Sequence, residues 1–312
     1  MTNSVVKIAS RGSRLALYQA NQVKMALENR FPEIVFEIRV FKTKGDKITD
    51  VPLSKIGDRG LFTKVLEDAL LGNEADLAVH SLKDMPTELP EGLSVTGVLQ
   101  RGEVRDVLVS VTGKKLADLD ETDVVATSSL RRTAQLLHYN SNLKIVDIRG
   151  NIDTRIKKME EGHCTAMVMA AAGLQRLDYH DKISEILSPE IMTPAVSQGA
   201  IAIEIREDDP AIGPLVEAIN HLPTFVAVQA ERAFLKALDG GCQVPIGCYT
   251  EYSGDTLKIS GLVADTDGKS MMKDSVTGKI GKAEETALLL AQRFLDRGAK
   301  EMIRKIRILN DL

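Results

Sequence analysis

Two hydrophobic periods alternate along the chain and divide it into strands and helices. VVKIAS at residues 5–10 is an apolar run of strand length, and it feeds RGSRLALYQANQVKMALENR, where Ala16, Ala20, Val23 and Leu27 recur at helical spacing behind Ser13, a natural N-cap. The same order returns later. DVVATSS, residues 123–129, reads as a strand that ends in hydroxyl residues and opens the helix LRRTAQLLHY. A second echo pairs FTKVLEDALLGNEADLAVHSLKD with IDTRIKKMEEGHCTAMVMAAAGLQR: a helix, a glycine stop, then an apolar strand. The first half is longer between its echoes, and the excess falls on residues 42–60, rich in Gly, Lys and Asp, which read as a mobile flap or a solvated loop.

The echoes predict two α/β lobes of similar topology, with AVSQGAIAIEIRED returning a strand to the first lobe. From HLPTFVAVQAERAFLKAL onward the pattern changes. A helix is followed by three segments of an antiparallel meander, QVPIGCYTEY, TLKISGLVAD and SMMKDSVTG, and by one amphipathic helix through ETALLLAQRFLDRGAKEMIRKI. The expected boundaries are residues 1–99 with 200–218 for the first lobe, 100–199 for the second, and 219–312 for a smaller α+β domain.

Composition narrows the partners. At 312 residues and 44% hydrophobic content the chain can bury a sizeable core, and no run approaches a membrane span, so a cytoplasmic protein is expected. Net charge is −4, aromatic content 4%, and tryptophan is absent, which argues against a basic nucleic-acid face or a stacking platform. Arginines nevertheless gather at strand-to-helix junctions: Arg11, Arg14, Arg131, Arg132, Arg149, Arg155 and Arg176. Guanidinium forks and helix N-termini both favour carboxylates or phosphates, so a small polyanionic ligand is expected where strand ends face each other across a cleft.

Three cysteines without a C-x-x-C pair suggest neither a disulfide framework nor a zinc ribbon. Cys242, in LDGGCQVPIG, is flanked by a glycine pair and reads as presented rather than packed, whereas Cys164 opens an apolar strand and Cys248 lies within one. Other patterns fail: in DTDGKS the glycine of a phosphate loop is replaced by Val263, leaving Asp267–Gly268 as a hairpin turn, and His163 beside Cys164 has no companion ligands for a metal.

SRGSRLALYQ, HSLKDMP, TSSLRR, IRGNIDTR, AAAGLQRL, PAVSQGA and GGCQVPIG together resemble the porphobilinogen deaminase (hydroxymethylbilane synthase) family over nearly the whole chain. Arg14 stands where that pattern has proline. The resemblance implies two periplasmic-binding-protein-like lobes plus the C-terminal α+β domain. It also implies a monomer that needs no metal, and a dipyrromethane cofactor joined to Cys242 by a thioether. Four porphobilinogen molecules would be deaminated and joined head to tail on this primer, and hydroxymethylbilane released for porphyrin and haem biosynthesis.

The resemblance assigns Asp84 as the catalytic carboxylate, stabilising positive charge on a pyrrole nitrogen and handling protons. For the cofactor it implies Lys83, Thr127, Ser129, Arg131, Arg132, Arg149, Arg155 and Gln198, and for substrate Arg11, Ser13 and Arg176 with Ser81 assisting. Phe62 is a candidate to pack on a pyrrole face, the alternative being a helix-start residue packed into its lobe. Such a ligand carries about a dozen carboxylates, each needing a counter-charge once water is excluded. The Met85–Pro86 pair is expected to stop a strand with Lys83 and Asp84 at its end. A two-lobed carboxylate-binding or sensor module with an incidental cysteine is the alternative function.

Overall fold

The computed structural model describes residues 5–42, 63–240 and 244–310. Cys242, Phe62 and nearly all of the flap expected at 42–60 lie outside the described residues. Contacts divide the described residues into two compact units, one taking those up to Gly102 and again Gly199–Phe225, the other Glu103–Gln198 and those from Val226 onward.

The first unit is built on β1 (Val5–Arg11), α1 (Arg14–Arg30), β2 (Val35–Phe41), α2 (Lys64–Leu71), β3 (Leu77–Ser81) and β4 (Leu93–Val98). The second unit begins with β5 (Asp106–Ser110), β6 (Val124–Ala126), α3 (Leu130–Tyr139), β7 (Lys144–Val146), α4 (Ile152–Glu160), β8 (Ala166–Ala170), α5 (Ala171–Arg176) and β9 (Glu185–Ile186). The chain then returns to the first unit with β10 (Ile201–Arg206) and α6 (Gly213–Glu217).

The two five-stranded sheets have one topology. Their orders are β2-β1-β3-β10-β4 and β7-β6-β8-β5-β9. In each, three parallel strands are followed by one antiparallel strand, β10 or β5, which comes from the far side of a crossing between the units. Strands covered on both faces need apolar residues at nearly every position. In the first unit Val6, Ile8, Leu77 and Val79 pack with Ala20, Val23 and Leu27 of α1, while Ala9 and Ala78 pack with Leu66, Ala69 and Leu70 of α2. The expected Ser13 cap forms: its Oγ accepts the Ala16 N–H at 3.2 Å.

The rest of the second unit is a three-stranded antiparallel meander with helices. It consists of α7 (Leu222–Ala237), which enters this unit at Val226, with β11 (Ile246–Ser253), β12 (Thr256–Ala264), β13 (Met271–Lys279), α8 (Ala283–Asp296) and α9 (Ala299–Asn310). Phe234 of α7 and Phe294 of α8 meet edge to face, with ring centroids 5.4 Å apart. Asp267–Gly268 lies in the β12–β13 turn, as read from sequence.

Two expectations are corrected. The closing helix is not continuous: it breaks at Arg297–Gly298, where Gly298 takes φ +91°, a left-handed conformation that ends α8. The apolar pattern alone does not register that break, because it resumes in α9. Nor does β3 reach Asp84. The strand ends at Ser81, and Leu82–Asp84 form a 3-10 turn that puts Lys83 and Asp84 on the connection ahead of Pro86. No helix among the described residues is long and apolar enough to cross a membrane.

Candidate active site

Parallel neighbours end on the same side of a sheet, so the topology gathers whatever follows their C-terminal ends. In the first unit Arg11 closes β1, Ser13 caps α1, and Ser81 closes β3. Lys83 is half-buried and Asp84 exposed on the following turn. Ser81 is fixed by Gln19 of α1, whose Nε2 donates to Ser81 Oγ at 2.8 Å. Behind this edge lies a buried acid-base group. His80 Nε2 is 2.9 Å from Glu204 Oε2, and burial, reinforced by Glu204, pushes the Glu67 carboxyl above the usual carboxylate range.

The second unit carries the larger cluster. Thr127, Ser129, Arg131 and Arg132 follow β6; Arg149 and Arg155 follow β7; Arg176 ends α5 after β8. Thr127 Oγ1 accepts the Ser129 N–H at 3.2 Å, shaping the entry to α3. Ser129 is the N-cap of α3 but makes no side-chain cap. Arg155 Nε donates to the Gly150 carbonyl at 2.7 Å, closing the turn between β7 and α4.

Arg131 and Arg132 are not surface arginines: they are only 5% and 7% exposed. Both hold the fully buried Asp106, Arg131 Nη2 at 2.8 Å from Oδ2 and Arg132 Nη2 at 2.7 Å from Oδ1. Burial alone would raise the Asp106 pKa, but the two guanidiniums outweigh it and hold the carboxyl far below its usual range. The remaining Nη1 groups donate to backbone, Arg131 to the Thr193 carbonyl and Arg132 to that of Val168 at 3.0 Å. Gln198, expected among the ligand-binding residues, is fully buried, and its Nε2 donates to Asp106 Oδ1 at 2.9 Å and to the Val104 carbonyl at 2.8 Å.

Two guanidinium donors in this cluster have no hydrogen-bond partner although buried, Nε of Arg132 and Nη1 of Arg149. An unmet buried charged donor is costly, so these atoms fit a group that brings carboxylates of its own. Sequence reading missed Asp106, Gln19 and Thr193. Asp106 had one visible sign, an acidic residue opening the apolar strand DVLVS. Gln19 had none, being an unremarked polar position in a helix.

The chain matches two family models in succession: "Porphobilinogen deaminase, dipyromethane cofactor binding domain" over residues 6–213 and "Porphobilinogen deaminase, C-terminal domain" over residues 225–296. The chain belongs to the porphobilinogen deaminase family. Among its relatives, the porphobilinogen deaminase of Moorella thermoacetica is 49% identical over 302 residues, covering 97% of this chain and 96% of the relative. That of Carboxydothermus hydrogenoformans is 48% identical over 302 residues, covering 97% of each. Solved structures overlap more loosely: the periplasmic VFT2 domain of Bordetella pertussis BvgS reaches a TM-score of 0.42 at 16% identity, covering 69% of this chain and 86% of that one. Family membership places the strand-end cluster of the second unit within the stretch matched by the cofactor-binding model.

Proposed function

We propose that this chain is a hydroxymethylbilane synthase that joins four porphobilinogen molecules on a dipyrromethane held by Cys242. Family membership supports the reaction class. The observation that carries the reading to this chain's own residues is the pair of buried guanidinium donors, Arg132 Nε and Arg149 Nη1, left without a protein acceptor at the strand ends. A polycarboxylate meets that need with charge as well as lone pairs, whereas a neutral ligand offers lone pairs alone.

When bound, the dipyrromethane supplies the free pyrrole α-carbon from which the chain of rings grows. Cys242 holds it covalently, while Arg132, Arg149 and Arg155, with Lys83, Thr127 and Ser129, bind its acetate and propionate groups. Arg131 and Gln198 serve the same binding through Asp106 and the backbone. Arg11, Ser13 and Arg176 take the carboxylates of incoming substrate, and Ser81 assists from its fixed position beside Gln19. Asp84, exposed on a short turn, is available to a pyrrole nitrogen; there its carboxylate stabilises developing positive charge and moves the proton. The first and second lobes and the C-terminal segment 219–312 form three domains of a cytoplasmic monomer.

Intact-mass analysis tests the reading. The purified chain should be heavier than its sequence by two linked pyrrole units, a mass that Cys242→Ser removes and that Cys164→Ser and Cys248→Ser retain. An unmodified wild-type mass, from cells supplied with porphobilinogen, supports the carboxylate-binding module instead.

A further inference from the structure

We propose that Asp106 is the positioning residue of the arginine pair, fixing where Arg131 and Arg132 offer their remaining donors and how much positive charge they present. The inference rests on the function proposed above. Asp106 opens β5, the antiparallel strand of its sheet, and lies beside β8, so the carboxylate is set by the sheet rather than by a loop. It is 0% exposed and accepts from Arg131, Arg132 and Gln198.

The arrangement has two consequences. A guanidinium that donates one Nη to a fixed carboxylate and the other to a fixed carbonyl cannot rotate about its own plane. Arg132 meets this condition with Asp106 and Val168, and its Nε is thereby held in one direction as the unmet donor. Charge is the second consequence. One buried carboxylate against two buried guanidiniums leaves a single net positive charge, enough for one ligand carboxylate rather than two. Gln198 acts at one remove, tying Asp106 Oδ1 to the Val104 carbonyl. The Asp106 carboxylate is taken up by Arg131, Arg132 and Gln198, so Asp106 and Gln198 act through the arginines.

The test is Asp106→Asn in the holoenzyme, read by the number of rings attached under limiting porphobilinogen and by turnover. Asparagine keeps the shape but turns an NH2 toward a guanidinium. The expected result is folded protein whose turnover falls about a hundredfold, as for misplaced binding groups, and which stalls at the same ring count as Arg132→Lys. The double variant Asp106→Asn with Arg132→Lys should be no worse than about twofold below the poorer single, since both changes strike one unit. Where Asp106→Asn yields no folded protein, Gln198→Leu removes one of the three donors and should stall at that ring count with a smaller loss.

A folded variant with the wild-type ring ladder, or losses that multiply in the double variant, overturns the positioning role. That holds even if stability falls, because a purely structural residue would lower stability and leave the ladder unchanged. A wild-type chain with neither bound pyrrole nor turnover overturns the function itself, and is distinguished by the wild-type control alone.

Discussion

Cys248 donates its backbone N–H to the carbonyl oxygen of Pro194 at 3.0 Å, and the preceding residue, Gly247, lies against the same peptide. A Cβ on Gly247 would sit 2.9 Å from the Pro194 oxygen and 3.0 Å from the Thr193 oxygen, both backbone atoms that cannot turn aside. Thr193 is also the carbonyl that receives Arg131 Nη1. Gly247→Ala should therefore lower stability by about 1–3 kcal/mol, the range for forced overpacking. Gly281→Ala, where nothing lies within 4 Å, is the control. Equal urea midpoints for the two variants would contradict the close approach.

Cys164 and Cys248 are buried, so neither is open to a reagent in the folded protein, and burial pushes the Cys164 thiol up to about 11. If Cys242 is occupied by a thioether, the native enzyme should titrate no fast thiol with a disulfide reagent. The unfolded protein should titrate two of its three cysteines. A third thiol on unfolding would show Cys242 to be unmodified.

Asp84 is exposed on a 3-10 turn and contributes little to packing. Asp84→Ala is expected to fold with wild-type stability and to lose turnover by about a hundredfold or more, the usual loss when a charge-stabilising group is removed. Steady-state assay beside thermal unfolding checks both halves, and near-normal turnover in the folded variant would remove the assigned role.

Glu67 carries a pH signature. Its folded pKa is raised by burial, so its contribution to stability is fully present below the unfolded value of about 4.3 and is lost as pH rises through the folded pKa. Glu67→Gln stays neutral throughout. The variant should gain on the wild type, in urea midpoint, as pH rises above the unfolded value. A difference that does not change with pH would place the ionisation elsewhere.

Much of this was legible because burial imposes period. The strand-to-helix echoes appear in sequence as β1–α1 against β6–α3, and α2–β3 against α4–β8, since each buried strand is mostly apolar and each helix has one apolar face. The chemistry of Asp106 was not legible. Its partners lie 25, 26 and 92 residues away, and nothing local marks a carboxylate as the mate of two distant arginines. The 3-10 turn at Leu82–Asp84 escaped for the opposite reason: three residues are too few to establish a period. Cys242 and Phe62 stand on sequence alone, outside the described residues.

The exchanged antiparallel strands bear on how the chain is made. The first unit's sheet lacks β10 until residues 201–206 have been synthesised, because that strand joins β3 to β4. The second sheet draws its strands from Asp106 to Ile186 without interruption. On the ribosome, the part encoded later can close its sheet first, while the earlier part waits with β4 unpaired to β3. The order in which the two sheets acquire their last strand is thus the reverse of the order in which they begin, and a pause in translation between those two points would leave the second sheet with all its strands and the first without β10.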